Sequence, residues 1–462
     1  MEQKIEFKPD LIKRYDKAGP RYTSYPTANL FNDSFSYEDY RSAAERSNRE
    51  AVPKPLSLYF HIPFCDTVCF YCACNKIVTK RRDRATPYLK HLYREIEMQA
   101  DLYENSRPVD QLHWGGGTPT FLSHEQMRSL MDKTGQHFSL MDDDTGEYSI
   151  EIDPREITPD GVHFLRDIGF NRISLGIQDF DPKVQKAVNR IQSEEITFAA
   201  INAARVARFK SVSVDLIYGL PFQTVDSFLL TLDKIMEVSP DRLSVFNYAH
   251  LPTLFMPQRR INEEDLPSAA EKLEILQAVI GYLTDQGYVY VGMDHFARPD
   301  DELVLAQDKG MLHRNFQGYS THADCDMVAM GVTAISQVDN IYCQNVRDED
   351  TYYQMIDEGR LPLMRGMKLT GDDLLRRDLI TQLICNFKLD IKQFTGKYEI
   401  DFAHYFKDEI AQLKIMQEDG LLQIDQHTIT ILPPGRLLIR NICMTFDAYL
   451  KNKQKNQFSK VI

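Results

Sequence analysis

Short apolar runs with β-strand character recur along residues 55–295 at intervals of roughly 25 to 40 residues, separated by stretches with helical periodicity. Alternating strands and helices give parallel strands with right-handed crossovers. The pattern therefore predicts an α/β fold with a partial (β/α)6-type barrel of parallel strands. The runs are SLYFHI (57–62), QLHW (111–114), YSIEI (148–152), RISLGI (172–177), VSVDLIY (212–218) and RLSVFNY (242–248), with a weaker seventh, YVYVGM (288–293).

Helix starts lie between these runs. Thr86-Pro87 and Thr158-Pro159 each place a capping hydroxyl before a proline, a residue favoured at the first position of a helix. Ser123 and Gln126 have the spacing of a capping box, in which each side chain binds the other residue's backbone N–H. Strand and helix are therefore expected to alternate in order.

The two ends of the chain have a different pattern. After about residue 355 the helical stretches become longer, as in DDLLRRDLITQLICNF (372–387), and one short β-like string, TITIL (428–432), follows. The first 50 residues have little periodicity and are expected to form an extended arm. The predicted domains are an N-terminal arm (1–50), a barrel (51–300), a connecting segment that contributes to the site (301–355) and a small, mainly helical C-terminal domain (356–462).

Charge and composition exclude several classes of partner. The 462 residues include 54 basic and 67 acidic side chains, and the resulting net charge of −13 repels a polyanion such as nucleic acid. The apolar runs are shorter than a membrane span requires, and the first residues lack the apolar region and cleavage site of a secretion signal. We therefore expect a cytoplasmic protein without a membrane partner. The sequence has no long apolar heptad repeat of the kind that would predict a dimer, so we expect a monomer.

Half of the eight cysteines crowd into the string HIPFCDTVCFYCACN (61–75), where Cys65, Cys69 and Cys72 have the spacing C-x3-C-x2-C. Such crowding in a cytoplasmic chain indicates a metal. Zinc usually takes ligands from two separated pairs, and no second pair follows. Three thiolates on a 4Fe-4S cluster instead leave one iron open for a non-protein ligand, so the cluster is favoured. A fourth thiolate would close that iron, and Cys74 is therefore placed outside the ligand set.

Residue types with useful chemistry follow several of the predicted strands. The cysteines come after the first strand, the string GGGTPT after the second, Glu151 and Asp153 at the end of the third, and Gln178 after the fourth. In a β/α barrel the carboxyl ends of the strands form one face, and active sites lie there. The sequence therefore predicts a single site at this face.

The C-x3-C-x2-C motif after the first strand of a β/α repeat resembles the radical S-adenosylmethionine superfamily, in which the methionyl amine and carboxylate bind the open iron. Further strings resemble one family, the oxygen-independent coproporphyrinogen III oxidases, from about Arg14 to the end of the chain. The strings are RYTSYPTA, YFHIPFC, CNKIVTK, HWGGGTPT, EIDPRE, NRISLGIQDF, VDLIYGLP, DRLSVFNYAHLP, GMDHFARPDDEL and LLIRNICM.

The resemblance implies an activity and its cofactors. Members of the family convert coproporphyrinogen III to protoporphyrinogen IX in haem biosynthesis, by oxidative decarboxylation of two propionate groups to vinyl groups. The hydrogen on the propionate β carbon is not acidic, so a 5′-deoxyadenosyl radical removes it in place of a protein base. The implied cofactors are a 4Fe-4S cluster and two S-adenosylmethionine molecules per active site, and the partners include an unidentified electron donor and acceptor.

Carried over residue by residue, the resemblance implies two groups of cofactor-binding residues. The first group positions the S-adenosylmethionine on the cluster and comprises Tyr59, Gly116, Glu151 and Ile335. The second group holds the second S-adenosylmethionine and comprises Phe64 or its neighbour, Tyr71, Gly117, Thr118, Gln178, Arg190, Asp215 and Ala249.

Several of these residues have an alternative role. Arg190 and Asp215 suit the carboxylate and ammonium of a zwitterion, but they could also form an internal salt bridge. The GGGTPT glycines allow the backbone to approach a ligand closely, and a tight turn between strand and helix would need them too. Tyr71 is expected near the adenine or as packing over the cluster.

Tyr59 and His61 lie one strand period apart, so both side chains should point toward the barrel mouth, and we predict both as catalytic residues. A lone histidine is usually structural, and this role stays open for His61 beside a polar contact or a proton role. The RYTSYPT arm resembles a segment that closes over the substrate, where Arg21 could pair with a propionate.

Two other functions compete with the main interpretation. One is a related haem-binding chaperone without decarboxylase activity, whose members lack the RYTSYPT arm and the CNKIVTK string. The other is an electron-transfer or structural iron–sulfur protein, which would not need a large barrel. His322 and Cys325 lie in a loop where the family varies, and neither is assigned a role.

Overall fold

The computed structural model describes residues 5–322 and 325–450, so residues 1–4, 323–324 and 451–462, including the end of the predicted C-terminal domain, lie outside the described residues. Contacts between Cα atoms divide the chain into two compact units. The sheet unit comprises Phe31–Leu276 and Asp324–Lys368, and the terminal unit comprises Met1–Leu30, Gln277–Ala323 and Leu369–Ile462. Both units are discontinuous along the chain, whereas the four predicted domains were continuous segments, whose boundaries stay a prediction.

The sheet unit is built on one sheet with a parallel centre. Its longer strands, numbered here in chain order, are β1 Leu56–Ile62, β2 Pro108–Gly116, β3 Glu147–Ile152, β4 Arg172–Gln178, β5 Ser211–Tyr218, β6 Arg242–Asn247, β7 Asp326–Met330, β8 Ile335–Val338, β9 Ile341–Asn345 and β10 Leu363–Lys368. The two-residue strand Ser139–Leu140 pairs with β2. Neighbours follow the order β6-β5-β4-β3-β2-β1-β7-β8-β9-β10. Strands β1 to β6 pair in parallel, and the predicted α/β fold is confirmed.

All six strong strand predictions coincide with β1 to β6, but the seventh run differs from the expected repeat. Val289–Gly292 belongs to the terminal unit and pairs antiparallel with His295–Ala297. A parallel connection needs a long crossover, and the short turn at Met293 and Asp294 cannot provide one. The seventh parallel strand is instead β7, which pairs with the free side of β1.

Helices alternate with the parallel strands of the sheet unit. Thr158 caps its helix by accepting from the N–H of Gly161, and Ser123 with Gln126 forms the predicted capping box, so both helix starts are confirmed. The helices are Tyr37–Asn48, Ala85–Ala100, His124–His137, Pro159–Asp167, Pro182–Ala187, Glu194–Val206, Val225–Val238 and Glu349–Asp357, with 3-10 turns at Arg82–Arg84, Pro119–Phe121, Pro154–Glu156, Met256–Arg260 and Glu263–Asp265. Helix Ala269–Asp285 runs across the division at residue 276.

Two local expectations are wrong. The helix predicted to begin at Pro87 begins at Ala85, directly after a 3-10 turn, and Arg84 at its cap position forms no side-chain cap. Pro87 is tolerated because N–H groups in the first helical turn have no partner within the helix. The first 50 residues also contain the helices Pro9–Tyr15 and Tyr37–Asn48 in addition to irregular chain.

The terminal unit is mainly helical, as predicted for the C-terminal domain. The predicted helix over 372–387 is present as Gly371–Asn386, and the predicted strand over 428–432 is present as Thr428–Ile431. Its other helices are Glu302–Asp308, Ile391–Tyr398, Phe402–Tyr405, Lys407–Glu418, Pro433–Leu437 and Ile439–Met444, with a 3-10 turn at Ala28–Leu30. Its other strands are His313–Asn315, Gly318–Ser320, Lys388–Asp390 and Leu422–Ile424.

Aromatic side chains fill the core beneath β1 and β2. Trp114 is fully buried, and its ring packs edge-on against Phe60 at 6.2 Å and against Phe170 at 4.9 Å between ring centroids. Such pairs add to the stabilisation from apolar burial.

Among the described residues, no helix is long and apolar enough to cross a membrane.

A buried carboxylate fastens the turn between β7 and β8. Glu95 is 0% exposed and accepts hydrogen bonds from the backbone N–H of Gly331 (2.8 Å), the amide of Asn345 (2.8 Å) and the hydroxyl of Tyr352 (2.6 Å). Tyr88 donates to the carbonyl oxygen of His61 at 2.7 Å and so ties the same region to β1. Burial raises the pKa of Glu95 to about 7, although the three donors lower it in part.

Replacing Glu95 should change how stability depends on pH. The ordinary carboxyl pKa is 4.5, and that of folded Glu95 is about 7, so between these values the folded chain keeps a proton that the unfolded chain has released. Stability should therefore fall as pH rises through this window, by on the order of 3 kcal/mol from this group. In Glu95→Gln, the thermal midpoint should decline less steeply over the same pH range.

Glu97→Gln is the matched control on the same helix. Hydrogen bonds from Lys133 and Arg94 lower the pKa of the Glu97 carboxyl, so this group stays ionised across the window and should leave the slope unchanged. Equal slopes in wild type and Glu95→Gln would contradict the assignment.

Candidate active site

The three predicted cluster cysteines lie on the loop that leaves β1 at its carboxyl end. Cys65 belongs to a two-residue strand, Phe64–Cys65, that pairs in parallel with Ile77–Val78. Cys69 and Cys72 close a turn through the hydrogen bond from the N–H of Cys72 to the carbonyl oxygen of Cys69, at 3.2 Å. These backbone contacts fix the loop independently of its side chains.

Without a bound metal, the surroundings of Cys65 favour its neutral thiol. Burial raises the pKa of the Cys65 thiol to about 11, and the nearby Cys72 and Cys69 add to the increase, whereas a hydrogen bond from Thr118 lowers it. Among the described residues, no group of three His, Cys, Asp or Glu side chains could hold a single metal ion. A 4Fe-4S cluster does not require such convergence, because each cysteine binds a different iron. The residues present therefore fit this cofactor.

Two guanidinium groups contact the sulfur of Cys69. Arg190 Nη1 lies 3.5 Å and Arg155 Nη2 lies 3.7 Å from Cys69 Sγ. Asp153 holds both arginines, with 2.8 Å to Arg190 and 2.6 Å to Arg155, and all three side chains are largely buried. Positive charge is thereby fixed beside a sulfur that would be negative in a cluster.

Cys74 is exposed and lies beside Cys72. A hydrogen bond from Cys74, together with the positive charge of Lys76, lowers the pKa of Cys72. Lys76 also donates to the carbonyl oxygen of Cys72 at 3.1 Å. Proximity alone does not separate Cys74 from the predicted ligands, and its place outside the ligand set stays a prediction.

Close contacts within the protein explain why glycines follow β2. A Cβ on Gly116 would lie 2.5 Å from His61 Cε1, and its φ of +108° is itself unfavourable for other residues. A Cβ on Gly117 would lie 2.6 Å from the carbonyl oxygen of Phe64. The tight-turn interpretation is therefore sufficient for both glycines, and contact with a cofactor is an additional prediction.

Tyr59 and His61 lie on β1 and contact each other, as their spacing predicts. The Tyr59 hydroxyl is 3.1 Å from His61 Nδ1, and His61 Nε2 is 3.0 Å from the carbonyl oxygen of Asn75. If the histidine donates to that carbonyl, its Nδ1 accepts from Tyr59. Burial lowers the pKa of His61, which favours this neutral form. Both ring nitrogens thus have protein partners.

Glu151 at the end of β3 has an unpredicted partner in His113 of β2. His113 Nε2 lies 3.2 Å from Glu151 Oε1, and its other ring nitrogen lies 2.5 Å from Ser149 Oγ. The ring also stacks on Tyr59, with centroids 5.8 Å apart. The surrounding protein raises the pKa of the Glu151 carboxyl, but His113 and the N–H of Gly116 lower it by more, so that it stays ionised.

Arg190 and Asp215 do not form a salt bridge with each other. Arg190 pairs with Asp153, whereas Asp215 accepts a hydrogen bond from Ser174 at 3.2 Å and another from Ser244. Burial and the charge of Glu151 raise the pKa of Asp215 to about 6. Asp215 is thus a half-buried carboxylate whose hydrogen-bond partners among the described residues are neutral serine hydroxyls.

The remaining predicted residues occupy positions at or near the carboxyl ends of the strands. Gln178 ends β4 in the left-handed region at φ 71°, and its side chain crosses Gly176. The ring of Phe64 is buried against Tyr88 and Phe121. The other residues are Tyr71 on the cysteine loop, Thr118 after β2, Ala249 just after β6 and Ile335 at the start of β8.

Comparison with known proteins decides the family. The family model described as the Radical SAM superfamily matches residues 59–235, and the HemN C-terminal domain matches residues 369–438. The oxygen-independent coproporphyrinogen III oxidase of Pseudomonas aeruginosa is 52% identical over 99% of both chains. That of Escherichia coli is 50% identical, over 100% of this chain and 99% of its own. The chain belongs to the oxygen-independent coproporphyrinogen III oxidase family.

A solved structure agrees with this membership. Coproporphyrinogen III oxidase (HemN) from Escherichia coli, described as a radical SAM enzyme, has a TM-score of 0.92 and 49% identity, covering 96% of this chain and 100% of the solved chain. As a coproporphyrinogen III oxidase family member, the chain is an oxidoreductase of the radical S-adenosylmethionine type. The predictions of a 4Fe-4S cluster and of S-adenosylmethionine as cofactors are confirmed at the level of the superfamily.

Sequence reasoning missed two residues of this family member's site. Arg155 stands in the quoted string EIDPRE, but nothing in its spacing indicates that it bends back onto Asp153. His113 stands in QLHW, two residues before Gly115. Residues two apart on a strand face the same side, so this spacing could have indicated that His113 faces the site. Both contact predicted residues, namely Cys69 and Glu151.

The three-ligand set predicts a clear pattern of iron content. Cys65→Ala, Cys69→Ala and Cys72→Ala should each lose most of the cluster, because each removes one iron ligand. Cys74→Ala should retain iron and sulfide at the wild-type level after anaerobic reconstitution. An equal loss in Cys74→Ala would show that four thiolates bind the cluster.

Arg155 is predicted to raise the reduction potential of the cluster. Removing its charge in Arg155→Gln should lower the midpoint potential by on the order of 50 mV, because the reduced cluster is the more negative state. Potentiometric titration followed by electron paramagnetic resonance measures this shift. Arg166→Gln, which removes an arginine paired with Asp144 in the same unit, should leave the potential unchanged. Equal potentials in Arg155→Gln and wild type would contradict the role.

Proposed function

We propose that this chain converts coproporphyrinogen III to protoporphyrinogen IX by oxidative decarboxylation of two propionate groups. The observation that carries the proposal is identity of about half the residues over essentially the full length with coproporphyrinogen III oxidases. The cysteine loop at the carboxyl ends of the parallel strands supports the same function. A match confined to the barrel would have supported only the superfamily.

Cys65, Cys69 and Cys72 would hold the cluster, and Asp153 keeps two arginines beside Cys69. When bound, the cluster and S-adenosylmethionine would supply the radical chemistry that removes a hydrogen atom from the propionate. The chain's own task is to orient the reactants. Tyr59 and His61 form a rigid hydrogen-bonded pair on β1, which suits positioning more than proton transfer because both histidine nitrogens are occupied.

The proposal includes a defined acceptor for the cofactor's polar groups. Glu151 is ionised, and an ionised carboxylate can accept from an ammonium or a ribose hydroxyl. His113 holds this carboxylate in place through its Nε2. We propose Glu151, with Gly116 and Ile335, as the contacts of the S-adenosylmethionine on the cluster.

A second S-adenosylmethionine in the same site is part of the proposal. Asp215 supports it, since among the described residues this half-buried carboxylate accepts hydrogen bonds from serines and would gain a cation from an ammonium group. Arg190 is already held by Asp153, so its contact with a ligand carboxylate would have to be made in addition. Phe64, Tyr71, Gly117, Thr118, Gln178 and Ala249 complete the proposed set.

Cellular context completes the proposal. The chain would act in the cytoplasm as a monomer, taking electrons from a reductant and passing those from the substrate to an acceptor, neither of which is identified. Its four segments would serve as the arm, barrel, connection and C-terminal domain described from the sequence.

The test is anaerobic incubation of the reconstituted protein with S-adenosylmethionine, a reductant and coproporphyrinogen III. Vinyl products should accumulate, with one 5′-deoxyadenosine for each decarboxylation. Equilibrium dialysis should detect two S-adenosylmethionine molecules per chain in the wild type and one in Asp215→Asn. Ser239→Ala is the control variant. Ser239 lies outside the strands, so this variant should still bind two S-adenosylmethionine molecules per chain.

Different failures overturn different parts of the proposal. Cofactor cleavage without vinyl products would overturn the substrate assignment, and haem binding without cleavage would favour the chaperone instead. A single bound S-adenosylmethionine in the wild type would overturn only the second cofactor.

A further inference from the structure

The backbone of the cysteine loop is bound on both sides of Cys69 by one neighbouring segment. The N–H of Phe70 donates to the carbonyl oxygen of Val188 at 2.9 Å. Asn189 Nδ2 donates to the carbonyl oxygen of Val68 at 2.8 Å. Two adjacent residues of the chain thus fix the residues before and after a proposed iron ligand.

Asn189 has a backbone conformation that favours glycine. It follows the helix Pro182–Ala187 and lies in the left-handed region at φ 55°, and the N–H of Arg190 donates to the carbonyl oxygen of Gln185 at 2.9 Å. Helices commonly end on such a residue, which is usually glycine and sometimes asparagine. Glycine would satisfy the backbone here, so the asparagine side chain contributes the amide that binds Val68.

A buried glutamine binds the loop at a second point. Gln258 Nε2 donates to the carbonyl oxygen of Tyr71 at 3.0 Å, and Gln258 Oε1 accepts from the N–H of Leu251 at 2.6 Å. Tyr71 directly precedes Cys72 in the chain. The segment after β6 is therefore joined to the cysteine loop next to another proposed iron ligand.

The rings on this part of the loop are anchored by the protein itself. Phe70 and Tyr71 pack against an apolar group that includes Val188 and Tyr248. The guanidinium of Arg260 lies 5.2 Å from the centre of the Phe70 ring. All of these residues belong to the sheet unit. Ring packing and hydrogen bonds to the backbone therefore act on the same short stretch of chain.

We propose that Asn189 and Gln258 are positioning residues that hold Cys69 and Cys72 in the arrangement that receives the cluster. The inference rests on the proposed ligand set, and it adds two residues that act through the backbone of the loop. Groups that orient metal ligands affect how tightly the metal is held. A loop carbonyl that loses its donor must find another partner, and the neighbouring cysteine would shift with it. Cys65 is held separately by its short parallel strand.

The first test measures anaerobic transfer of iron from the reconstituted holoenzyme to bathophenanthroline disulfonate. Asn189→Gly should release iron about tenfold faster than the wild type, because it loses the amide that binds Val68. Glycine is well suited to φ 55°, so a role confined to the end of the helix predicts no faster release from this variant. Gln258→Met keeps the length of the side chain but loses both hydrogen bonds, and it should also accelerate release.

Hydrogen exchange of the metal-free full chain supplies a readout that does not depend on the cluster. The Phe70 amide should be protected in the wild type, because it is bonded to Val188, and it should exchange about tenfold faster in Asn189→Gly. Equally fast exchange in both proteins would show that the loop takes its shape only when the cluster binds, and this would overturn the proposal.

Asn48→Ala is the matched control for a general loss of stability. Asn48 Nδ2 donates to the carbonyl oxygen of Leu102 at 2.9 Å, which is a hydrogen bond of the same kind in the same unit. Iron release from Asn48→Ala should therefore stay at the wild-type rate. Release as fast as that from Asn189→Gly would overturn the proposal, since a distant contact would then have the same effect.

The inference and the proposed function fail in different ways. Wild-type rates of iron release in both Asn189→Gly and Gln258→Met would overturn the positioning role even if the wild type forms vinyl products. Absence of vinyl products from a wild-type protein that holds its cluster would instead overturn the proposed function.

Discussion

Parallel pairing on both sides of β1 is the constraint from which the site arises. This strand is bonded to β2 on one side and to β7 on the other, all running in the same direction. The carboxyl ends of neighbouring strands therefore meet at one edge. The loop with Cys65, the glycine turn after β2 and Glu151 of β3 come from distant parts of the sequence, yet the pairing of their strands brings them to this edge.

Electrostatic organisation adds a second layer to this edge. Asp153 is central, because it holds Arg155 and Arg190 next to the same sulfur. Burying a charge is costly unless it is paired, and here one carboxylate makes two buried cations tolerable. His113 likewise contacts the carboxylate of Glu151 through its Nε2. The chain thus fixes the charge of its own groups at this edge through direct contacts between its side chains.

The sequence was informative wherever a local rule applies. Strand runs and the capping box at Ser123 depend on neighbours in the chain, and each predicted its structure. The spacing of the cysteines is also local, and the cluster that it indicated agrees with the superfamily. The partners of Arg190 could not be predicted in this way, since its contact with Asp153 joins residues from different β/α units. The antiparallel hairpin at Val289–Gly292 was missed because an apolar run carries no information on strand direction.

The arrangement of the terminal unit has a consequence for synthesis of the chain. This unit joins residues 1–30 to segments that begin at Gln277 and Leu369, and Arg440 contacts a carbonyl 420 residues before it. Domains generally fold as they leave the ribosome, from the N-terminus onward. All segments of the sheet unit have been translated once Lys368 has been added. Residues 5–30, although made early, can thus complete their contacts only after the segment from Leu369 onward has been translated.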